Sequence, residues 1–510
     1  MQKSERIIAY YLRVVLGVYL FLLIVVFPYY APSGYVKLGA NKYYFFRMVG
    51  LECLLLMLPA AALLVLQRKG DRRRPLSGTD WAMIVYVMAV IMSYVCTQWK
   101  DIALWGTEGW SMGLVTQVMF VSVYFYVSRF SERTAVWYAL LLAASLGVFL
   151  VGILNRFSVY PLWREADTLS FFISTLGNIN WFCGYWSVVF PVGIVWYWNG
   201  EGNRLWKKAG LALYAVIGFM VGVIQGSSSG FLVLGAVFLL LFLLSFQDGE
   251  RFLRWMGLVM LFAIAALLTG IIKRISPTAL NYKNEIEEYV TQCTVSGFLL
   301  GGVAVCYSII RYLVKKKPEY VRKMFMILYG AASVMALMAG LMSVAGMVRA
   351  GVLQFDDHWG NGRGAAWRTG VQAFADMPFL NKLVGIGSDC FGCYVYDRQD
   401  MAKELYGVFG NSRLENAHNE LLTMLVNTGV CGALSYAAVF LSAMCRQFRA
   451  GRQKGILWIS AVCIFSYCIH NMVSFQQIVS TPFVFMLIGF GERELRKGQN
   501  DGKVVSGGCK

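Results

Sequence analysis

Charge is what this sequence has least of for its length. Of 510 residues only 15% are Asp, Glu, Lys or Arg, against 58% hydrophobic, where a soluble domain carries roughly 25% charged residues. Water cannot be the main solvent of such a chain, which excludes soluble multidomain classes. Histidine is scarcer still, at 3 residues, and with so few outer carboxylates no convincing set of metal ligands can be assembled. The 12 cysteines lie mostly inside apolar runs (Cys53, Cys183, Cys306, Cys463), where a thiol behaves as a small hydrophobe. Cys390 and Cys393 in "DCFGC" form the single close pair; a redox or metal role is open to them, but no second pair of zinc-like spacing accompanies it. Internal repeats and low-complexity tracts are missing too. So is a small-x-small cleavage site behind the first apolar run, which is therefore read as a mature span.

What is present is a succession of apolar runs of about 20 residues, the length that crosses about 30 Å of hydrocarbon as a helix. They fall near residues 13–30, 44–66, 81–97, 113–129, 135–154, 181–198, 209–225, 230–246, 255–272, 294–313, 324–348, 421–445, 455–473 and 477–490, about fourteen in all. The expected fold is an all-α polytopic membrane protein of about fourteen transmembrane helices with one large extracytoplasmic loop containing short helices. The basic connections "RKGDRRR" (68–74), "RLWKK" (204–208), "KKKPEYVRK" (315–323), "RQFRAGRQK" (446–454) and "RELRK" (493–497) all fall on one side. By the positive-inside rule that side is the cytoplasm, and both termini lie there. The net charge of +18 is thereby explained by topology; nucleic-acid binding would need a basic face on a soluble surface. The implied organisation is N-terminal transmembrane helices over 1–176, a middle transmembrane region over 177–348, an extracytoplasmic loop over 349–415, C-terminal transmembrane helices over 416–492 and a cytoplasmic tail over 493–510. A loop as long as 349–415 is uncommon unless functional or disordered. Its segment "AAWRTGVQAFADMPF" reads as a short amphipathic helix ending before Pro378.

The sharpest local signal closes that loop: "ENAHNELLTMLVNTGVCG", residues 415–432. His418 and Asn419 stand at the outer mouth of the next span, with Gly429 and Gly432 deeper, where small residues let helices approach closely. An ionisable group at a helix mouth is a functional candidate, the alternative being an interfacial histidine with a satisfied hydrogen bond. Upstream, "GNGRGAAWRTGVQAF" offers Arg363 and Arg368, and "VGIGSDCFG" follows with Gly385 and Gly387. Arginine recognises phosphate with two parallel N–H donors and stays charged; the plainer readings are a solvated pair or lipid-headgroup anchoring.

Taken together, Arg363 and Trp367, then "FADMP", a "GIG" with an aromatic shortly after, and His-Asn followed after nine residues by Gly-x-x-Gly resemble the O-antigen ligase and polysaccharide polymerase superfamily. "LGNINWFCGYW" at 176–186, with Asn178 and Asn180, is similar to that family's Gly-Asn-x-Asn element at the outer end of a middle span. The resemblance implies glycosyl transfer at the outer face of the cytoplasmic (inner) membrane. The donor would be a glycan on undecaprenyl diphosphate, the acceptor a saccharide hydroxyl, and the pathway O-antigen, capsule or exopolysaccharide polymerisation or ligation, alongside other polysaccharide-assembly proteins. His418 would be the general base and Arg363 would hold the diphosphate, in a single inverting displacement without nucleotide sugar, cofactor or metal.

One departure concerns the family's Ser-Arg-Gly-like turn, which here reads "QGSSSGF" with Ser229 in place of arginine. Either Arg368 or Arg349 supplies a second cation, or hydroxyls of Ser227 to Ser229 take part, or the serines form only a turn. Asp356, Asp357 and His358 read as a solvated turn, and His470 with Asn471 as a reserve pair near the outer end of a span. The competing class is a flippase or transporter of lipid-linked oligosaccharide. That class places ionisable groups near the bilayer midplane, whereas here the informative residues gather at the outer mouth.

Overall fold

The computed structural model describes residues 3–67, 75–162, 172–200, 204–246, 248–276, 280, 284–316 and 356–507. Within a bilayer each backbone N–H and C=O must be satisfied inside its own segment, so apolar runs of this length become helices. Ten described helices are long and apolar enough to cross a membrane, which makes this an all-α, multi-pass membrane protein. They include α1 (Lys3–Phe21, continued as π and 3₁₀ turns to Tyr29), α2 (Leu38–Gln67) and α3 (Gly78–Cys96). After the short α4 (Lys100–Trp105) come α5 (Leu114–Phe130), α6 (Thr134–Arg156), α7 (Ile179–Asn199), α8 (Leu205–Ile224), α9 (Ser228–Ser245) and α10 (Gly249–Ile275). The short α11 (Glu285–Val290) precedes α12 (Cys293–Lys316). The apolar run at 324–348 and Arg349 lie outside the described residues.

α7 is the central staff, buried along most of its length, while α12 lies at the periphery, packing one face on α10 through Val303, Tyr307 and Ile310 against Phe252 and Met256. A two-residue β-ribbon, Phe172–Ile173 against Gly177–Asn178, sits immediately before α7 and turns the chain into it. The bundle shares one continuous apolar core in which aromatics interlock, such as Trp186 stacked on Phe190 with centroids 5.0 Å apart.

The loop is not structureless. Its described part, 356–415, folds into α13 (Trp359–Ala375), α14 (Phe379–Val384), α15 (Phe391–Tyr396) and α16 (Gln399–Phe409). These helices bury a second core, with Ala366, Ala373, Met377, Phe391, Val395 and Leu405 packed together and closed by Ala103 of α4 and Val426 further along the chain. α13 ends at Ala375, ahead of Pro378, because a residue before proline is disfavoured in the helical region. The chain then enters α17 (Glu420–Gly451), α18 (Ile456–Asn471) and α19 (Thr481–Gly507).

Helix ends that the charge alternation assigns to one side do meet at one side. Asp80, at the start of α3, pairs with Arg129 at the end of α5 (2.8 Å) and with Arg496 of α19. Arg496 also reaches Glu492 (3.0 Å), which Arg446 of α17 contacts in turn. At the opposite end lie the starts of α7, α9 and α17.

Candidate active site

The starts of α7, α9 and α17 are among the helix starts at that opposite end, and the partial positive charge of an α-helix N-terminus makes such a convergence favourable for an anion. Each start has a local cause. Asn178 caps α7, its side-chain oxygen accepting from Asn180 N at 2.8 Å. Gly226, at φ +98°, turns the chain into Ser227, from which α9 departs. Asn419 caps α17, accepting from Leu422 N at 3.0 Å.

Between the starts of α7 and α9 and the beginning of α13 lies a cavity of about 260 Å³. Ile179, Asn180, Ser227 and Ser228 form one wall, and Gly360, Asn361, Arg363 and His418 another. Arg363 is delivered by three consecutive left-handed residues, Gly360, Asn361 and Gly362, at φ +59°, +63° and +87°. Such a run is accessible mainly to glycine and asparagine, which is why "GNG" precedes the arginine. Its guanidinium is buried and oriented by two backbone carbonyls, Nε donating to Val473 O at 2.8 Å and Nη1 to Gly360 O at 2.7 Å. The fork is thus held rigid, with Nη2 and one Nη1 proton left for a ligand.

His418, also left-handed at φ +49°, is fixed by its main chain: its N–H donates to Asn416 Oδ1 at 3.0 Å, and Trp367 Nε1 donates to its carbonyl at 3.4 Å. The imidazole packs edge-on against Phe475, with centroids 5.1 Å apart. Burial, helped by the charge of Arg363, pushes the imidazole down to about 4, so it is neutral and able to accept a proton at physiological pH. Burial also pulls the Arg363 guanidinium down from its ordinary value, though an arginine stays charged at any accessible pH.

The cavity brings together three of the residues singled out in the sequence, Arg363, His418 and Asn180, with Ser227 beside them donating to Asn180 Oδ1 at 2.9 Å. Others are placed elsewhere. Arg368 points to the far face of α13, paired with Asp357 at 2.7 Å and lining a separate groove with Trp367, because it stands five residues from Arg363 on a helix of 3.6-residue period. It is not the second cation of this cavity. Asn419 and Asn178 spend their side-chain oxygens on capping, and Asn419 Nδ2 donates to Met472 O at 3.0 Å. Ser229 is buried away from the cavity, against Ser227 Oγ (2.7 Å) and Cys183 Sγ (3.3 Å). Asp356 accepts from His358 N at 3.0 Å in a local turn. Cys390 and Cys393 are free thiols.

Two features escaped the sequence reading. Arg156, at the end of α6, is buried and donates to Gln225 O, bracing the turn that carries Ser227. The turn between α18 and α19, "MVSFQQ" at 472–477, ties the site together. Met472 O receives Asn419, Val473 O receives Arg363, Phe475 packs on His418, and Gln477 Nε2 donates to Asn180 O at 3.3 Å. A polar break between two apolar runs was the available signal.

With the geometry in place, comparison with known families gives one match, over part of the chain. The O-antigen ligase family model matches residues 290–437, a segment that holds Arg363, the loop helices, His418 and both glycines of the Gly-x-x-Gly. The chain carries an O-antigen ligase domain. No curated protein matches the chain. The domain links the protein to surface-polysaccharide assembly, as an enzyme of glycan ligation or polymerisation that works on glycan substrates within a lipid bilayer.

The domain's paired glycines acquire a physical meaning here. Gly429 interrupts α17 at φ +67°, ψ −173°, a conformation essentially restricted to glycine. A Cβ there would lie 2.4 Å from the backbone of Leu383. The break frees Asn427 O, which accepts from Ile386 N (3.1 Å), Gly387 N (2.9 Å) and Ser93 Oγ (2.6 Å). The "GIG" turn of the O-antigen ligase domain is therefore docked on the kink of α17, the helix whose start positions His418.

Proposed function

We propose that the protein is an inverting, metal-independent glycosyltransferase of the cytoplasmic membrane that moves a glycan from undecaprenyl diphosphate to a saccharide hydroxyl at the outer face. The observation that carries this reading is that His418 and Arg363 border one cavity with the N-termini of α7 and α9. The two helix ends and Arg363 supply positive potential without any metal, suited to a diphosphate. His418 supplies a neutral base at the same place.

The step follows from that arrangement. The acceptor oxygen attacks the anomeric carbon as His418 removes its proton. The bond from that carbon to the diphosphate oxygen breaks on the opposite face, and the electron pair leaves with the diphosphate. The charge that develops there is met by Arg363 and the N–H groups and hydroxyls of the Ser227–Ser228 turn, and fixed donors of this kind cost no reorganisation during reaction. Inversion is the consequence of a single displacement. Polymerase and ligase share this chemistry and differ in the acceptor; the number of apolar runs leans toward polymerase. The flippase alternative gains little support from the described spans, whose ionic groups mostly collect at their ends, Glu52 within α2 being an exception.

The test is turnover of lipid-linked glycan by purified variants. Loss of a general base typically costs about 10²- to 10⁴-fold in the chemical step, so His418→Ala lowers kcat while donor binding survives. Arg363→Ala abolishes transfer, and Arg363→Lys, which keeps the charge but loses the fork, impairs it by weakening the hold on donor. Glycan of normal length and amount from both alanine variants would overturn the assignment in favour of transport.

A further inference from the structure

Behind the site, separate from the cavity that Arg363 and His418 border, lies a much smaller one of about 20 Å³, room for a single water or a single small ion. Asp389, Ser388, Asn427 and Glu420 line it, with Gln476 and Phe475 at its side. All four of the first set are nearly inaccessible, at 6%, 4%, 4% and 3% exposure. Glu420 accepts from Gln476 N through Oε2 at 2.5 Å, but its Oε1 has no partner, and neither have Asn427 Oδ1 and Ser388 Oγ. Asp389 accepts from Thr107 N (2.8 Å) and Met112 N (3.0 Å) through Oδ2. Among the described lining residues none is Lys, Arg or His.

Two carboxylates therefore share a small space whose described lining includes no lysine, arginine or histidine. A buried ionised carboxylate is tolerated only when it is paired, metal-bound or protonated. Asp389 is already compensated in part by its two backbone donors, whereas Glu420 Oε1 has no hydrogen-bond partner. The unpartnered acceptors are oxygens of a carboxylate, an amide and a hydroxyl, the hard ligands that suit alkali and alkaline-earth ions, and one amide donor, Gln476 Nε2, is unpartnered beside them. A calcium ion takes about 6 to 8 such oxygens, more than this cavity presents.

We propose that this cavity binds a monovalent cation of sodium size, held by Glu420, Asp389, Asn427 and Ser388. The ion joins the first residue of α17 to the turn that follows "GIG" and so fixes the corner on which His418 sits. Burial pushes the Asp389 carboxyl up to about 6, and Glu415, itself paired with Arg413 at 3.1 Å, adds to that field; a bound cation relieves both. The proposal does not depend on the transferase reading, since its readout is stability.

The experiment is thermal unfolding of the full-length protein in detergent, in NaCl, KCl or choline chloride at equal ionic strength and neutral pH. The expected result is a saturable rise of several degrees in Tm with NaCl over choline chloride, lost in Glu420→Gln and weakened in Asn427→Ala. Equal midpoints in NaCl and choline chloride overturn the proposal, as does a midpoint that ignores sodium and rises only on acidification, which would put a proton on Asp389 or Glu420 instead. An undiminished sodium response in Glu420→Gln overturns the ligand assignment. Should that variant fail to accumulate, the wild-type salt series together with Asn427→Ala decides.

Discussion

In the mechanism we propose, His418 is the residue on which the chemistry turns, and its environment sets its pH dependence. An ordinary histidine titrates near pH 6.5. Here burial and the adjacent Arg363 push it down to about 4, and a general base works only when unprotonated. Because the shift is downward, the neutral form persists further into acid. We therefore expect kcat/KM, which reports free enzyme, to stay flat from neutrality to about pH 5 and to fall only below that as His418 protonates. A fall centred on the ordinary histidine value in a pH–rate profile would mean that His418 does not occupy this environment in the free enzyme. Arg363 shows the complementary point: its type and position are apparent from "GNGR", but its orientation depends on the carbonyl of Val473, 110 residues away along the chain. Local pattern nominates such a residue, and only a distant partner fixes the direction of its fork.

At the scale of the element, the α17 kink is the feature that links packing to function. Gly429 both takes a backbone conformation closed to other residues and admits the end of α14 at van der Waals range. Forcing a side chain into that conformation costs about 1–3 kcal/mol, and the backbone of Leu383 would have to move as well. Gly429→Ala is expected to lower Tm and to depress transfer strongly, since the "GIG" turn and Asp389 would lose their seat on Asn427. An alanine variant with unchanged Tm and turnover would show the kink to be dispensable. Read as sequence, the paired glycines offered only close helix packing. That was the right physics for a different partner, because what approaches is the end of the short α14 and the turn after it instead of a second membrane span. The loop helices teach a similar lesson. The amphipathic pattern of α13 is legible from Trp367 to Phe374, whereas Arg368, equally eligible by type, faces away because helical phase separates it from Arg363.

For the whole molecule, the alternation of basic and less basic connections predicts a definite orientation, and the clustering of Asp80, Arg129, Arg446, Glu492 and Arg496 at one end is what that alternation requires of a folded bundle. Labelling of single cysteines, in a background without native cysteine, should tag Asn381→Cys from outside intact cells and Lys316→Cys only after permeabilisation. The reverse pattern would move the candidate site to the cytoplasm and remove the lipid-linked donor from reach. The candidate-site cavity belongs to this scale as well: it is assembled from α7, α9, α13 and the approach to α17, and none of these elements holds more than a fragment of it.

The sequence by itself determined the solvent and the helical class, and it nominated the candidate reactive groups. Apolar runs such as 44–66 and 135–154 become Leu38–Gln67 and Thr134–Arg156 because a bilayer leaves an apolar chain no other way to satisfy its backbone. Helix ends were less legible: the run at 421–445 continues as helix to Gly451, since polar residues can extend a helix beyond the hydrocarbon. Only the tertiary structure decided which polar residues act together. It set Asn180 and Ser227 with His418 and Arg363, turned Asn178 and Asn419 into caps and Ser229 inward, and recruited the 472–477 turn, which carries no motif. The reason is that hydrophobic spacing records which face of each helix meets its neighbours, while the position of a polar group at a helix mouth depends on backbone carbonyls and charges contributed by segments hundreds of residues apart.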